Sequence, residues 1–306
     1  MDDALLANID GVSRTVGVRR ASAGNLLADG ADDGDERLGR SKSTPRCGRD
    51  SHAVLAVCAV CLGSLNFGTT LGYTSPSEPR IRDDLLGGDE QLGALMASVV
   101  SLGALVGALG GGQLSATLSR RVALAVSAAP GVIGWVLLAA PRPSWGVGPA
   151  LAVLIAARLL CGLAVGAQSA VVPVYISEVA PPELRGLLGC CHQLSIALGV
   201  TIVYSLGQAI VVPAADCVLC GWRLLAVLCA VPQALLALLV MLPWFPESPR
   251  WLVSSGSAAD AVYTLARLRG VAPSDPVVLQ ELGEIQNTVV SWICFSSQLH
   301  VMRHAF

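Results

Sequence analysis

Six long runs of apolar residues dominate the chain, and short clusters of charged residues, glycines or prolines separate each run from the next. We place the runs near residues 52–72, 92–115, 122–140, 150–175, 187–211 and 223–244. A helix of about 20 apolar residues is long enough to cross the hydrocarbon core of a bilayer. The pattern therefore predicts six membrane-spanning helices.

The composition agrees with this interpretation, because 53% of the 306 residues are hydrophobic and only 14% are charged. A soluble domain carries about 25% charged residues. Glycines recur four residues apart within the runs, at Gly103, Gly107 and Gly111 and again at Gly162 and Gly166. Small residues at this spacing let helix backbones approach closely in a membrane. We therefore expect close helix packing at these positions.

Lysines and arginines are concentrated before the first predicted span and after the second, fourth and sixth spans. All of these segments would lie on the same side of the membrane. This bias predicts that the N-terminus and the chain beyond span six lie in the cytoplasm. Residues 1–51 are predicted to be a disordered tail, because they mix Asp, Gly, Ala and Arg and hold almost no aromatic residues. Residues 52–250 would form the bundle, residues 251–288 a cytoplasmic helical linker, and residues 289–306 a tail without a structural assignment.

The linker has the pattern of two short helices. Ser257 to Asp260 has the spacing of a capping box, and Gly270 would end the helix that follows. Asp275 and Pro276 can cap and begin a second helix. Helices of this kind could brace the ends of the spans.

Two charged blocks that contain prolines stand at the ends of apolar runs. The first block, residues 173–186, carries Glu178 and Arg185 on either side of a Pro-Pro pair, and the second is residues 246–252. Charges at the edge of a membrane span are costly unless they are paired or lie at the interface. Two such exits suggest a membrane protein with a gated cytoplasmic face.

These residues resemble a known family. Residues 158–186 are similar to the long signature of the sugar porters of the major facilitator superfamily, and residues 246–252 resemble the block that closes their sixth span. Residues 62–68 resemble their first span and residues 192–194 the start of their fifth. The resemblance covers about residues 55–290, and its nearest subgroup is the class III glucose-transporter-like and insect trehalose-transporter-like proteins.

The resemblance implies an all-α membrane protein in which six transmembrane helices form one N-terminal major-facilitator bundle, with short cytoplasmic helices after it. Family members have about twelve spans in two six-span bundles, with the sugar held between the bundles. We therefore expect this chain to be the N-terminal half of such a transporter, present as a truncated half-transporter. A second half or a full-length transporter is the expected protein partner.

The resemblance also implies a cytoplasmic gate that opens and closes as the halves rock. Its six members would be Glu178, Arg185, Arg120, Arg121, Glu247 and Arg250. Exposed ion pairs can exchange partners for about 1 kcal/mol. The alternative is that these charges only anchor span ends, which fits Arg120 and Arg121 nearly as well. Residues 116–119 read Ala-Thr-Leu-Ser where the family usually has Asp-x-x-Gly, so the sequence does not predict a tight turn there.

A sugar site needs a few amides and hydroxyls in an otherwise apolar cavity. By resemblance, Gln193 is a sugar ligand that we expect to be buried, with Ile196 and Val200 on the same helix face. The alternative for such an amide is a helix-to-helix hydrogen bond. Weaker candidates for the cavity wall are Ser169, Gln168, Thr70 and Phe67. His192 is expected near the cytoplasmic mouth.

The resemblance bears on energy coupling as well. Proton-coupled relatives have a carboxylate in span one, where this chain has Thr70, and no predicted span has an acidic residue in its interior. Arg158, which we expect at the outer end of span four, would need a partner acid in a symporter. We therefore predict facilitated diffusion rather than proton symport.

The function expected from the sequence is facilitative transport of a hexose or disaccharide by alternating access. The alternatives are a porter of another small solute on the same fold and a non-transporting half-protein that modulates a full-length partner. We expect a multi-pass protein of the lipid bilayer, at the plasma membrane or an endosomal or lysosomal membrane, with no cofactor and no nucleic-acid partner. An enzyme is not expected, because no Ser/His/Asp set, metal-spaced cluster or phosphate-binding glycine loop is found in the sequence.

Overall fold

The computed structural model describes residues 50–211 and 221–304, and their side chains as far as residue 291. Six long helices make up most of it: α1 (Ser51–Leu85), α2 (Glu90–Thr117), α3 (Arg120–Ala139), α4 (Val147–Val179), α5 (Arg185–Ile210) and α6 (Trp222–Met241). Three further helices follow: α7 (Pro249–Ser254), α8 (Ala258–Arg269) and α9 (Pro276–His304). No strand occurs in the described residues.

All six long helices are long and apolar enough to cross a membrane. The predicted all-α fold with six spans is therefore confirmed. The tail of residues 1–51 lies outside the described residues except for Asp50 and Ser51.

Helix α1 extends well beyond the end expected at residue 72. It continues to Leu85 although it contains Pro76 and Pro79. The reason is that Ser77, Ile81 and Leu85, spaced four apart, are buried on one helix face. Packing of this face outweighs the local helix-breaking preference of the prolines.

Helix α4 lies against α2 along a seam of glycines. A Cβ atom added at Gly103 would overlap the backbone of Leu159, and one added at Gly166 would overlap the backbone of Ala104. Gly107, Gly111 and Gly162 are similarly close to the facing helix. The predicted close packing at these glycines is confirmed, and the partner of each is another small residue or bare backbone.

The helices after the bundle begin and end where the capping residues indicated. Ser257 precedes α8, although its side chain makes no capping hydrogen bond, and Gly270 ends that helix with a φ of 60°. Asp275 accepts a 3.0 Å hydrogen bond from the backbone N–H of Val277 at the start of α9. Helix α9 continues past residue 288, so part of the unassigned tail is helical.

Candidate functional site: a charged bundle end and a polar depression

The two charged blocks meet at one end of the bundle, where α3 begins and α4 ends. Arg120 donates two hydrogen bonds to Glu178, from Nε to Oε2 and from Nη2 to Oε1, both at 3.0 Å. The two side chains are only 15% and 6% exposed. A bidentate pair with this little exposure is stronger than an ordinary surface ion pair.

The second block is held against the same carboxylate. Ser248 donates a 2.6 Å hydrogen bond from Oγ to Glu178 Oε2, and the same Oγ accepts from the backbone N–H of Trp251 at 3.2 Å. Ser248 is thus the N-cap of α7. Nearby, the Tyr175 hydroxyl donates to the Pro246 carbonyl at 2.9 Å. Glu178 therefore joins α3, α4 and α7 at one point.

Arg121 ties the start of α3 to the end of α6. Its guanidinium donates to the carbonyls of Val240 at 2.7 Å, Met241 at 2.7 Å and Leu242 at 3.0 Å. These are among the carbonyls that a helix end leaves without partners, and a cation there also interacts favourably with the helix dipole. Its backbone N–H donates to Glu247 Oε1 at 3.2 Å.

The connection between α2 and α3 is tight, although the sequence lacks the family's glycine and acid there. Only Leu118 and Ser119 separate the two helices. Ser119 supplies the N-cap of α3, because its Oγ accepts a 3.2 Å hydrogen bond from the backbone N–H of Val122. The hydroxyl thus performs the local capping that lets Arg120 reach Glu178.

The structure does not bring the other two expected gate residues into ion pairs. Arg185 is exposed and Arg250 is half-buried, and neither has an ion-pair partner among the described residues. Arg185 instead borders a depression of about 300 Å³ next to Pro173 and Ser177. The carboxylate of Glu178 is paired with Arg120, so Arg185 has no acid to bind there.

A second ion pair lies at this end of the bundle, and the sequence did not predict it. Arg269 of α8 forms a bidentate pair with Glu281 of α9, at 2.6 and 3.0 Å, and donates to the Val179 carbonyl at the end of α4 at 3.1 Å. Arg269 is 6% exposed. The sequence of α8 has the pattern of a surface helix, so it does not indicate that Arg269 is buried or which residue it pairs with.

A polar depression lies between α1, α4 and α5. It is a shallow, partly open space of about 150 Å³, and its lining consists of Gly63, Ser64, Phe67, Gln168, Ser169 and His192. Ser64 Oγ and His192 Nδ1 are 2.6 Å apart and hydrogen-bonded. Three of the expected wall residues, Phe67, Gln168 and Ser169, are therefore brought together here.

The hydrogen-bonding state of these side chains differs. Ser169 donates to the Gly166 carbonyl of its own helix at 2.7 Å, which is the usual state of a hydroxyl in a membrane helix. Gln168 is 1% exposed, and neither its amide nitrogen nor its amide oxygen has a partner in the described part of the chain. Ser64 and His192 were not on the expected list of ligands, and their pairing across α1 and α5 could not be read from the sequence.

The other expected sugar ligands lie outside this depression. Gln193 was expected to be buried, but its side chain is exposed on α5. Ile196 and Val200 are half-buried, and their backbone faces Gly68 and Gly72 of α1. Thr70 is 1% exposed, and its hydroxyl has no partner among the described residues. Gln193 is exposed because nothing in the described bundle covers that face of α5.

Arg158 lies in the core of the helix bundle. It is fully buried, and its three guanidinium nitrogens have no hydrogen-bond partner in the described part of the chain. The ring of Tyr73 lies against it, with the ring centroid 4.8 Å from the guanidinium carbon. Leu154 and Ala157 of the same helix are buried beside it. The expected position towards the outer end of span four stays a prediction.

The described residues hold no group of three or more His, Cys, Asp or Glu side chains placed to bind a metal ion.

Comparison with known proteins agrees with the architecture. A profile of the family described as "Sugar (and other) transporter" matches residues 53–306. Sugar transporter ERD6-like 6 of Arabidopsis thaliana is 37% identical over 245 residues, which are 79% of this chain and 46% of that protein. Solute carrier family 2, facilitated glucose transporter member 8 of Bos taurus is 37% identical over 227 residues, 73% of this chain and 44% of that protein.

Solved structures share the fold. The proton:xylose symporter XylE, a major facilitator superfamily protein solved with 6-bromo-6-deoxy-D-glucose, aligns with a TM-score of 0.74 at 23% identity. The alignment covers 83% of this chain and 56% of that chain. An inward-open structure of XylE from E. coli aligns with a TM-score of 0.67.

This chain spans less than half the length of the curated relatives it matches, and the match corresponds to their N-terminal half. With six spans, the glycine seam and both charged blocks in place, it belongs to the family of sugar (and other) transporters.

Proposed function

We propose that this chain provides the first six-helix bundle of a facilitative sugar transporter that works by alternating access. The observation that carries the proposal is the depression between α1, α4 and α5, where an unpartnered carboxamide and a Ser–His pair lie within an apolar bundle. Amides and hydroxyls recognise sugar hydroxyl groups without requiring a charged ligand. The proposed substrate is a hexose or a disaccharide.

The charged end is proposed to be the gate. The Arg120–Glu178 pair and Ser248 connect three helices through contacts that can break and reform without disturbing the apolar core. Arg121 and Glu247 belong to the same cluster, and Arg185 and Arg250 lie at its margin, available to a partner bundle. The gate faces the cytoplasm in this proposal, with the N-terminus on the same side.

The transport mode proposed is facilitated diffusion. Thr70 holds a buried hydroxyl where a proton-coupled relative would have a carboxylate, and Arg158 has no acid beside it in the described residues. A proton carrier needs a group whose ionisation follows the conformation of the protein. No such acid lies within the described bundle core. Binding, rather than catalysis, is the activity this arrangement supports.

A second function is favoured by α5. Only 22% of the most apolar stretch of this helix is buried by the other described helices. Gln193, Thr201 and Ser205 are exposed on its surface. The amide of Gln193 would be unfavourable against lipid, whereas the hydroxyls of Thr201 and Ser205 donate to carbonyls of their own helix. A helix with this surface suits contact with another bundle, so the chain could also modulate a full-length partner by occupying its interface.

The test is uptake of radiolabelled sugar in transporter-deficient cells. The 306-residue chain alone should give no saturable flux, because one bundle leaves its cavity face open. Co-expression with the separately encoded second bundle of a relative should give saturable, inhibitor-sensitive uptake. Saturable uptake by the chain alone would contradict the half-transporter interpretation.

The coupling proposal has its own measurement. Exchange of labelled sugar in vesicles containing the assembled transporter should be the same with and without an imposed pH gradient. Accumulation of sugar that requires the gradient would overturn facilitated diffusion while leaving the sugar-binding proposal intact.

A further inference from the structure

The carboxamide of Gln168 is the polar group in the bundle with the largest unmet hydrogen-bonding capacity outside Arg158. Both its nitrogen and its oxygen are buried without partners among the described residues. Leaving a buried polar group without a partner costs about 1–3 kcal/mol. A leucine at this position would avoid that cost, so Gln168 destabilises the empty bundle.

The surroundings of Gln168 leave room for that amide. A Cβ atom added at Gly63 would lie 3.3 Å from Gln168 Oε1 and 3.1 Å from Leu236 Cδ2. A contact this close would require the carboxamide to move. The missing side chain at Gly63 therefore gives the amide its position at the edge of the depression.

The other polar groups of the depression are neutral or weakly basic and can both donate and accept. Ser64 is 2% exposed, and its hydroxyl is bonded to the His192 ring. No carboxylate, lysine or arginine is among the described residues that line the depression. The chemistry that matches a carboxamide beside a hydroxyl–imidazole pair is an uncharged ligand with adjacent hydroxyl groups, because each hydroxyl can donate to one group and accept from another.

We propose that Gln168, Ser64 and His192 form a hydroxyl-binding subsite, separate from Gln193, that selects an uncharged ligand carrying two adjacent hydroxyl groups. Gln193 does not line the depression, and its side chain is exposed. Gln168 is the specificity-determining residue of the subsite, since its amide offers a donor and an acceptor side by side. This inference rests on the proposed sugar-binding function and adds the residue that distinguishes one sugar from another.

The depression is partly open, and its volume of about 150 Å³ includes that open space, so it is well below a typical ligand pocket of roughly 300–1,000 Å³. A ligand must therefore widen the gap between α4 and α5 on entry. This widening exposes the Gln168 amide, which then forms hydrogen bonds with the hydroxyl groups of the ligand. The unfavourable burial in the empty state is then relieved only by a ligand with the correct hydroxyl pair.

The test uses the 306-residue chain in lipid nanodiscs and measures the thermal unfolding midpoint against concentration of D-glucose, its monodeoxy analogues and trehalose, with L-glucose as the control. A ligand that binds the folded state raises the midpoint. Gln168→Leu should increase the apparent Kd for the preferred sugar about tenfold, the loss expected for one or two neutral hydrogen bonds. It should also abolish discrimination between that sugar and the deoxy analogue lacking the contacted hydroxyl.

Gly63→Ala provides a second variant that keeps the amide but crowds it, and it should weaken binding several-fold. The matched controls are Gly110→Ala, where an added Cβ meets nothing within 4 Å, and Gln233→Leu, which removes a buried amide between α3 and α6. Both controls should leave the sugar-dependent shift unchanged.

The outcomes separate the two proposals. A sugar-dependent shift that Gln193→Leu removes and Gln168→Leu leaves intact overturns the subsite and keeps the proposed function. Unchanged discrimination among deoxy analogues in Gln168→Leu also overturns the subsite. The absence of any sugar-dependent shift in the parent chain overturns the subsite, whereas the proposed function stands or falls with saturable uptake on co-expression of the second bundle.

Discussion

The bundle end around Arg120 and the bundle core around Arg158 both withdraw a guanidinium from solvent, and they treat its charge in opposite ways. Arg120 has two hydrogen bonds to one carboxylate, which also accepts from Ser248. Arg158 is fully buried, its guanidinium has no hydrogen-bond partner among the described residues, and it lies over the ring of Tyr73. Among the described residues, the charge of Arg120 has an acidic partner and the charge of Arg158 has none.

The two arginines have opposite effects on the stability of the described bundle. A desolvated cation–π contact contributes about 2 kcal/mol, whereas burying an unpaired charge costs several kcal/mol. Arg158 therefore lowers the stability of the described bundle. Arg120 and Glu178, in contrast, form an ion pair that is largely shielded from solvent. Removal of either side chain therefore leaves the charge of the other without a partner.

Glu178→Ala should produce the largest change, a loss of about 3 kcal/mol in the free energy of unfolding, because it leaves the guanidinium of Arg120 largely buried and unpaired. Reversible unfolding in mixed micelles with increasing SDS measures this. Glu183→Ala is the matched control, since Glu183 is exposed on the same connection. Equal effects of the two substitutions would show that the Arg120 pair contributes no more than a surface charge.

Arg158→Met should change stability in the opposite direction, with a gain of about 2 kcal/mol in the same assay. The unbranched apolar side chain fills similar space without the desolvation cost. Leu159→Met, at a more exposed neighbouring position of α4, serves as the control. Destabilisation by Arg158→Met would mean that the arginine is satisfied in the membrane, which would remove the contrast with Arg120.

Arg269→Ala should cost about 1.5 kcal/mol, because Arg269 joins Glu281 to the end of α4 through a nearly buried side chain. A double-mutant cycle with Glu281→Gln should show coupling between the two residues. Arg267→Ala, on the exposed side of α8, should be close to neutral. Additive effects at Arg269 and Glu281 would contradict the pairing.

Arg185→Gln should have the smallest effect, within about 0.5 kcal/mol, because the side chain is exposed and has no ion-pair partner in the described chain. In an assembled transporter the same substitution should alter uptake rate. A large loss of stability in the isolated chain would place Arg185 inside the charged cluster after all.

The sequence predicted the helices well and the pairing of side chains poorly. Apolar length and the positions of Gly270 and Asp275 gave helix ends close to those observed. The end of α1 was misjudged, because the apolar run ends near residue 72 and only tertiary burial of Ile81 and Leu85 continues the helix past Pro76 and Pro79.

Contacts across the bundle depend on how helices are rotated, which hydropathy does not determine. Arg120 meets Glu178 although 58 residues separate them, and Arg185, seven residues from Glu178, does not meet it. Ser64 and His192 are 128 residues apart. The exposure of Gln193 likewise follows from which face of α5 the bundle covers. No periodicity in a single helix could have given these results.

Arg121 has a mechanical consequence. Three carbonyls at the end of α6 are bound by one guanidinium at the start of α3. Neither helix can pivot at this end without losing all three bonds, so α3 and α6 should behave as a single lever during any rocking of the bundle. Motion would then be taken up by the other four spans.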